Sequence, residues 1–230
     1  MWIKICGLTD ETGVKAALDA RADAIGFVFF PPSPRHIEFD RAAMLAEPAR
    51  GKAESVALTV DADDTLLDRL VATVKPDILQ LHGTEPPARV SEVKARYSLP
   101  VMKALPVADA TDLAAIELYR TAADRILFDA KPPKDATRPG GNGEAFDWSL
   151  LGEVDETLDY VLSGGLNLEN IGEALKSADA ANRPPWGVDV SSGVERAPGI
   201  KDPKRVAGFV EAVRKAATDG TDKLMAAQPA

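Results

Sequence analysis

Eight short apolar segments recur along the chain, each followed by a longer stretch with the residue spacing of an amphipathic helix. Several segments contain Val, Ile, Leu and Phe almost without polar alternation, which is typical of strands buried on both faces of a parallel sheet. The predicted strands are residues 2–6, 24–30, 54–60, 77–81, 100–105, 125–130, 158–163 and 187–190. Eight strand–helix pairs match a closed barrel better than an open sheet, so we predict one α/β domain, a (β/α)8 TIM barrel.

Capping residues and apolar spacing locate the clearest helices. Thr9 or Asp10 can cap the first of them, and Asp63 or Asp64 can cap the second. The predicted helices are residues 10–20, 63–74, 85–96 and 202–217. A doubly wound sheet is the alternative fold, but it needs a dinucleotide-binding fingerprint after the first strand, and the residues there read ICGLTD.

No shift in composition marks a domain boundary. We therefore predict a barrel domain over residues 1–217 and a flexible tail over residues 218–230. The segment 131–144 follows a strand and is long and rich in Pro and Gly, which indicates a mobile lid.

Charge and residue counts argue against several functions. A formal net charge of −9 disfavours nucleic acid, which requires a basic face, and an anionic membrane surface. One cysteine permits no internal disulfide and no cysteine-based zinc site, and two histidines do not suggest a metal cluster. Because we find neither a signal peptide nor an apolar run of about 20 residues, we expect a cytoplasmic protein.

In a (β/α)8 barrel, the side chains at the carboxyl ends of the strands form the active site. This rule converts the predicted strands into a set of candidate site residues. They are Cys6, Arg35, His82, Asp129, Gly164, Gly165, Asp189, Ser192 and Gly193.

Cys6 is the only thiol in the chain. A thiolate there could act as a base or nucleophile if its pKa were lowered, and Lys4 lies on the same face of the strand and could supply positive charge. Alternatively, Cys6 is a small buried hydrophobic residue, and Lys4 serves only in barrel packing and as a salt-bridge partner.

The other candidate side chains also allow two interpretations. Asp129 and Asp189 end apolar strands, where a carboxylate is costly without a role or a partner, but either could cap a helix, and Asp129 could pair with Lys131. His82 could serve chemistry or structure. Arg35 could clamp a carboxylate through two hydrogen bonds or remain solvated.

Two glycine-containing turns follow the last two predicted strands, in the sequences SGGLN and DVSSG. Glycine lets backbone N–H groups approach an anion closely, and a helix beginning beyond each turn would add a favourable dipole. Many barrels hold a substrate phosphate at this position, so we predict phosphate binding here rather than two merely tight turns.

The motifs in this order resemble the phosphoribosylanthranilate isomerase family. The matching segments are KICGLT, GFVFFPPSPR, LQLHG, FDAK, GGNGEAFDW, LSGGLN and GVDVSSGVE, which run from the first strand to the last. The resemblance implies an Amadori rearrangement of N-(5-phosphoribosyl)anthranilate in tryptophan biosynthesis. Its substrate would be a small phosphorylated molecule, and no metal or cofactor would be needed, because one acid and one base suffice.

The resemblance also implies a role for each site residue. Cys6 would be the general base and Asp129 the general acid, while Arg35 would hold the anthranilate carboxylate. His82 and Asp189 would line the site. Gly164, Gly165, Ser192 and Gly193 would bind the phosphate.

The sequence is compatible with two rival functions. The related histidine-pathway isomerase catalyses the same type of rearrangement, but its pattern has an aspartate where this chain has Cys6. A non-catalytic protein that binds a phosphorylated ligand would not need both Cys6 and Asp129 at strand ends. The sequence leaves open whether the protein is a monomer or a homodimer.

Overall fold

The structure is a computed structural model that describes residues 1–131, 140, 145–155 and 157–226. Its strands form a closed barrel in the order β1 to β8, in which each strand pairs in parallel with its neighbours and β1 also pairs with β8. The barrel strands are β1 (Trp2–Cys6), β2 (Ala24–Phe29), β3 (Glu54–Thr59), β4 (Ile78–Leu81), β5 (Val101–Val107), β6 (Arg125–Ala130), β7 (Tyr160–Leu162) and β8 (Gly187–Val190). The predicted (β/α)8 barrel is confirmed.

A two-stranded antiparallel hairpin follows the barrel strands, formed by β9 (Glu195–Ala197) and β10 (Ile200–Lys201). The helices are α1 (Glu11–Asp19), α2 (Phe39–Ala46), α3 (Asp64–Val74), α4 (Pro87–Tyr97), α5 (Ala110–Leu113), α6 (Ile116–Tyr119), α7 (Ile171–Ala180) and α8 (Pro203–Ala226). Short 3-10 helices cover Glu47–Ala49 and Trp148–Glu153.

The helix starts follow the predicted caps. Asp10 accepts a hydrogen bond from the Gly13 amide at 2.7 Å, and Asp63 accepts one from the Leu66 amide at 2.8 Å. These bonds satisfy backbone N–H groups that the first helical turn leaves without partners. The last helix was predicted to end at residue 217, but it continues to Ala226. The flexibility of the tail remains a prediction.

Two expectations concern the rest of the chain. Of the segment predicted as a lid, residues 132–139 and 141–144 lie outside the described residues. Among the residues that are described, no helix combines the length and the apolar character needed to cross a bilayer.

The barrel interior is apolar near the amino ends of the strands. At that end the Arg125 side chain packs against two tryptophan rings. Its guanidinium carbon lies 5.2 Å from the ring centroid of Trp2 and 4.5 Å from that of Trp186. Above it is a buried layer formed by Ala24, Val56, Ile78, Met102, Ala104, Leu127 and Val161. This packed floor leaves only the carboxyl ends of the strands to form an open cavity.

A buried ion pair fixes the loop that follows β4. The Lys103 ammonium lies 2.8 Å from the Glu85 carboxylate and also donates to the carbonyl oxygens of Leu81 and Gly83. The Glu85 carboxylate in turn accepts hydrogen bonds from the amides of Asp61 and Gly83. Because this cluster joins strands β3, β4 and β5, it holds the backbone on both sides of residue 82.

Replacing Glu85 by Gln should destabilise the protein by about 3–5 kcal/mol, because it leaves the Lys103 charge buried without a counter-charge. The free energy of unfolding in urea measures this loss. Glu92→Gln is the matched control: Glu92 pairs with Arg89 at 3.7 Å but is largely exposed, so its loss should be about 1 kcal/mol or less. Equal losses for the two variants would contradict a stabilising role for the buried pair.

Candidate active site

A cavity of about 790 Å³, including its open mouth, lies at the carboxyl ends of the barrel strands. One wall is apolar and is formed by Val28, Phe30, Leu58 and Val60. The remaining lining includes eight of the nine predicted site residues, namely Cys6, Arg35, His82, Asp129, Gly164, Gly165, Asp189 and Ser192. The ninth, Gly193, is next to Ser192 and pairs with Asn167 in a parallel bridge that joins the two glycine-containing turns.

Cys6 ends β1 and is buried beside two ammonium groups. Burial and the charge of Asp189 raise the pKa of its thiol above the ordinary value, although the charges of Lys4 and Lys201 favour the thiolate. Lys4 lies fully buried, with its Nζ 3.0 Å from the Asp189 Oδ1. Both interpretations of Lys4 therefore apply: it pairs with Asp189 and also supplies positive charge beside the thiol, but that charge does not outweigh the loss of solvation.

Asp129 ends β6 and contacts His82 rather than the lysine that follows it. The His82 Nε2 lies 3.0 Å from the Asp129 Oδ2, and Asp129 Oδ1 accepts a hydrogen bond from the Ala130 amide. Lys131 pairs instead with Asp112 at 3.0 Å. The alternatives of an Asp129–Lys131 pair and of a helix cap are therefore wrong, and Asp129 faces the cavity.

Arg35 is buried in the loop after β2 and is not solvated. Its Nε and Nη2 donate to the two carboxylate oxygens of Glu195 at 2.7 and 2.8 Å. Lys201 donates to the same carboxylate at 2.8 Å. Within the described residues, the remaining guanidinium nitrogen, Nη1, has no hydrogen-bond partner, so Arg35 is held in place through one edge while it lines the cavity.

The electrostatics of this cluster follow from its geometry. Burial raises the pKa of Glu195, but the hydrogen bonds from Arg35 and the charge of Lys201 outweigh that effect and leave its pKa below the ordinary value. Burial lowers the pKa of Lys201 despite its pairing with Glu195. Glu195 is thus a carboxylate shared between two cations, and the hairpin that carries Glu195 and Lys201 positions Arg35.

The two glycine-containing turns close the far side of the cavity. Gly164 has a φ of +85°, and a side chain there would collide with the backbone nitrogen of Ala130, so the turn requires glycine. Gly165 has a φ of +64°. Within the described residues, the amide N–H groups of Gly165 and Ser192 make no hydrogen bonds, which leaves these donors available at the cavity rim.

One expectation about these turns is wrong. No helix begins directly beyond Ser192 and Gly193: the chain forms the β9–β10 hairpin first, and α8 starts only at Pro203. Helix α7 does follow the first turn, but it begins at Ile171. The second turn therefore offers backbone amides without a helix beginning directly behind it.

Three polar residues of the site were not singled out in the sequence. Gln80 lies two residues before His82, so the alternation of side chains along a strand could have placed both in the barrel interior. Glu195 belongs to the DVSSGVE segment. Lys201 has no local signal, because its partners are reached only through the hairpin.

These features define a class of protein: a (β/α)8 barrel whose cavity, at the carboxyl ends of its strands, is lined by a thiol, an imidazole and carboxylates. Residues 3–212 match the sequence model of the family described as N-(5'phosphoribosyl)anthranilate (PRA) isomerase. The chain is 56% identical over 212 residues to the N-(5'-phosphoribosyl)anthranilate isomerase of Rhodopseudomonas palustris (strain BisA53), and the alignment covers 92% of this chain and 95% of that protein.

Solved structures agree with this match. The phosphoribosyl anthranilate isomerase of Thermus thermophilus superposes with a TM-score of 0.80 at 29% identity, covering 94% of this chain and 99% of that one. A phosphoribosyl anthranilate isomerase in complex with reduced 1-(O-carboxyphenylamino)-1-deoxyribulose 5-phosphate gives a TM-score of 0.77 at 30% identity, with coverage of 94% and 99%. The chain therefore belongs to the N-(5'-phosphoribosyl)anthranilate isomerase family.

Proposed function

We propose that this chain converts N-(5-phosphoribosyl)anthranilate to 1-(2-carboxyphenylamino)-1-deoxyribulose 5-phosphate, an Amadori rearrangement in tryptophan biosynthesis. The family match and the relative crystallised with a reduced form of the product support this activity. The observation that carries it furthest is that Cys6 and Asp129 line one cavity whose rim offers free backbone amides.

Asp129 acts first, as the general acid. Its carboxyl proton passes to the ring oxygen of the ribose, the bond between that oxygen and C1 breaks, and its electrons stay on the oxygen. The nitrogen lone pair forms the C1=N bond of an iminium ion, which acidifies the proton on C2. A hydrogen bond from His82 Nε2 then stabilises the Asp129 carboxylate that remains.

Cys6 acts second, as the general base. Its thiolate removes the C2 proton, the electrons of that bond form C1=C2, and the iminium nitrogen becomes neutral. The enolamine then gains a proton at C1 while its C2 hydroxyl becomes the product ketone. Lys4 and Lys201 favour the thiolate by their charge. Each proton transfer can contribute about 10²–10⁴ in rate.

Substrate binding is divided between the two sides of the cavity. Arg35 meets the anthranilate carboxylate through Nη1, while Gly164, Gly165, Ser192 and Gly193 bind the phosphate through backbone N–H groups. Fixed backbone donors explain how a chain of net charge −9 attracts a phosphate dianion. Asp189 holds Lys4 in place beside Cys6.

The substrate and the charge of the chain also bear on the compartment and the partners of the protein. A small phosphorylated substrate and an acidic chain support a cytoplasmic biosynthetic enzyme with no nucleic-acid partner, as a monomer or a homodimer.

A fluorescence assay tests the activity. Anthranilate fluorescence should change as purified protein consumes phosphoribosylanthranilate, with the ketose product identified by mass and by its sugar carbon spectrum. A purified, folded protein that leaves the substrate unchanged would reject the proposed function.

Replacing Gly165 by Val should weaken binding of the phosphorylated product by at least about tenfold, because a β-branched residue strains a backbone at positive φ and displaces its amide. Gly51→Val is the matched control: Gly51 has a φ of +73° but lies in an exposed turn with open space around it. Product titration and competition by inorganic phosphate measure the difference. Product affinity equal to wild type in Gly165→Val would place the phosphate elsewhere.

Exhaustive chelation and dialysis should leave turnover unchanged, because one acid and one base complete the reaction. The described residues contain no group of three or more His, Cys, Asp or Glu side chains placed to hold a metal ion. The assay compares kcat before and after chelation, with the chelator removed as a control. Loss of activity that a divalent ion restores would contradict the proposed mechanism.

A further inference from the structure

Gln80 is fully buried in the barrel interior on β4 and does not line the cavity. Its side-chain amide joins two residues of the site. The Lys4 Nζ donates to Gln80 Oε1 at 2.8 Å, and the Gln80 Nε2 lies 3.0 Å from His82 Nδ1. Since an ammonium group can only donate, the amide oxygen must face Lys4, and the amide NH₂ must face His82.

Lys4 is a fixed positive charge. Burial lowers its pKa, but the charges of Asp189 and Cys6 outweigh that effect and leave the pKa above the ordinary value. The Asp189 carboxylate also holds the ammonium in place at 3.0 Å. The orientation of the Gln80 amide is therefore set by the Lys4 ammonium, which stays protonated near neutral pH.

This orientation determines the tautomer of His82. An amide nitrogen can only donate, so His82 Nδ1 must accept, and a neutral imidazole then carries its proton on Nε2. The protonated Nε2 lies 3.0 Å from the Asp129 Oδ2 and donates to it. Hydrogen bonds thus run in one direction from Lys4 through Gln80 and His82 to Asp129, and each polarises the next.

We propose that Gln80 is a positioning residue that holds His82 as the Nε2–H tautomer, which supports the acid role proposed above for Asp129. In this tautomer His82 stabilises the carboxylate formed when Asp129 gives up its proton, but has no free lone pair toward Asp129. In the other tautomer, Nε2 would accept the Asp129 proton, and an imidazolium–carboxylate pair would replace the acid.

The groups around His82 are consistent with this role. The ring contacts Gln80 on its own strand and Asp129 on β6, and its Nε2 side lies against Gly140. The Lys4–Asp189 pair lies behind Gln80, and the Lys103–Glu85 pair holds the backbone on either side of His82. Each of these charged pairs is internally balanced, so among the described residues the amide of Gln80 is the group that selects which imidazole nitrogen is protonated.

Nitrogen NMR tests the tautomer directly, because the chain contains only two histidines. In a His36→Gln background, the long-range proton–nitrogen spectrum reports His82 alone. We expect an unprotonated Nδ1 and a protonated Nε2 in the wild-type sequence at neutral pH. In Gln80→Glu the carboxylate can only accept, so both ring nitrogens should be protonated. A protonated Nδ1 in the wild-type sequence would overturn the proposal.

Kinetics separate positioning from structure. Gln80→Glu should lower kcat by about 10²-fold, the typical contribution of a general acid, while KM stays within about twofold because Gln80 does not reach the cavity. Gln80→Met keeps the bulk and removes both hydrogen bonds; it should give mixed tautomers and a kcat loss of about tenfold, and it serves if the Glu variant does not fold. Wild-type kcat in a variant whose His82 is protonated on both nitrogens would overturn the proposal.

The two arms distinguish this proposal from the proposed function. The NMR result requires no turnover. If the wild-type sequence showed the Nε2–H tautomer and Asp129→Asn kept full activity, the acid role of Asp129 would be rejected and the tautomer assignment would stand. An incorrect tautomer in an active protein would reject the role of Gln80 alone.

Discussion

Cys6→Ala is expected to lower kcat by at least about 10²-fold, because it removes the group that takes the C2 proton. The free energy of unfolding should change by only about 1 kcal/mol, since the thiol is small and lies where the barrel opens into the active-site cavity. Steady-state kinetics and urea unfolding measure the two effects. Near wild-type turnover would remove Cys6 from the mechanism.

Cys6→Ser is the matched variant, because it keeps nearly the same shape but cannot form its anion near neutral pH. The pH dependence gives a second test of the same role. Burial raises the pKa of the Cys6 thiol, so the thiolate fraction of the free protein grows as the pH rises above neutrality. We expect kcat/KM to rise over that range in the wild type. A flat profile there would contradict a thiolate base.

Asp129→Asn is expected to lower kcat by about 10²–10⁴-fold while substrate still binds. Asparagine keeps the shape of the side chain and removes the transferable proton. His82 can still donate to the amide oxygen, so the contact at 3.0 Å need not be lost. Product titration measures binding independently of turnover.

The split between kcat and KM decides the role of Asp129. If the variant raised KM alone, Asp129 would be a binding group, and the acid would have to be another residue of the cavity. Asp112→Asn is a useful control, since Asp112 pairs with Lys131 at the surface and does not line the cavity. Its kcat should match that of the wild type.

The barrel could be predicted from the sequence because its strands are buried on both faces. Such strands read as nearly uninterrupted apolar segments, and all eight were located, with ends shifted by one or two residues where they differ. The same rule placed most of the residues that line the candidate site. Cys6, His82, Asp129 and Asp189 stand at strand ends in the sequence, and the closed barrel brings them to one cavity.

The partners of these residues could not be predicted in the same way. Arg35 and Glu195 are separated by 160 positions, and Lys201 reaches them only because a hairpin replaces the expected helix after β8. The sequence also suggested Lys131 as the partner of Asp129, yet Asp129 contacts His82 across the barrel and Lys131 pairs with Asp112. Pairings of this kind depend on side-chain directions across the barrel, which local periodicity does not encode.

Proton removal from C2 is assigned to Cys6 and ring opening to Asp129, and an isotope measurement tests this assignment most directly. Phosphoribosylanthranilate with deuterium at C2 of the ribose slows the step assigned to Cys6 but not the ring opening assigned to Asp129. In single-turnover experiments we predict a larger isotope effect in Cys6→Ser, where C2 proton removal limits the rate, than in Asp129→Asn, where ring opening limits it. Equal effects in the two variants, or the reverse order, would contradict the assignment.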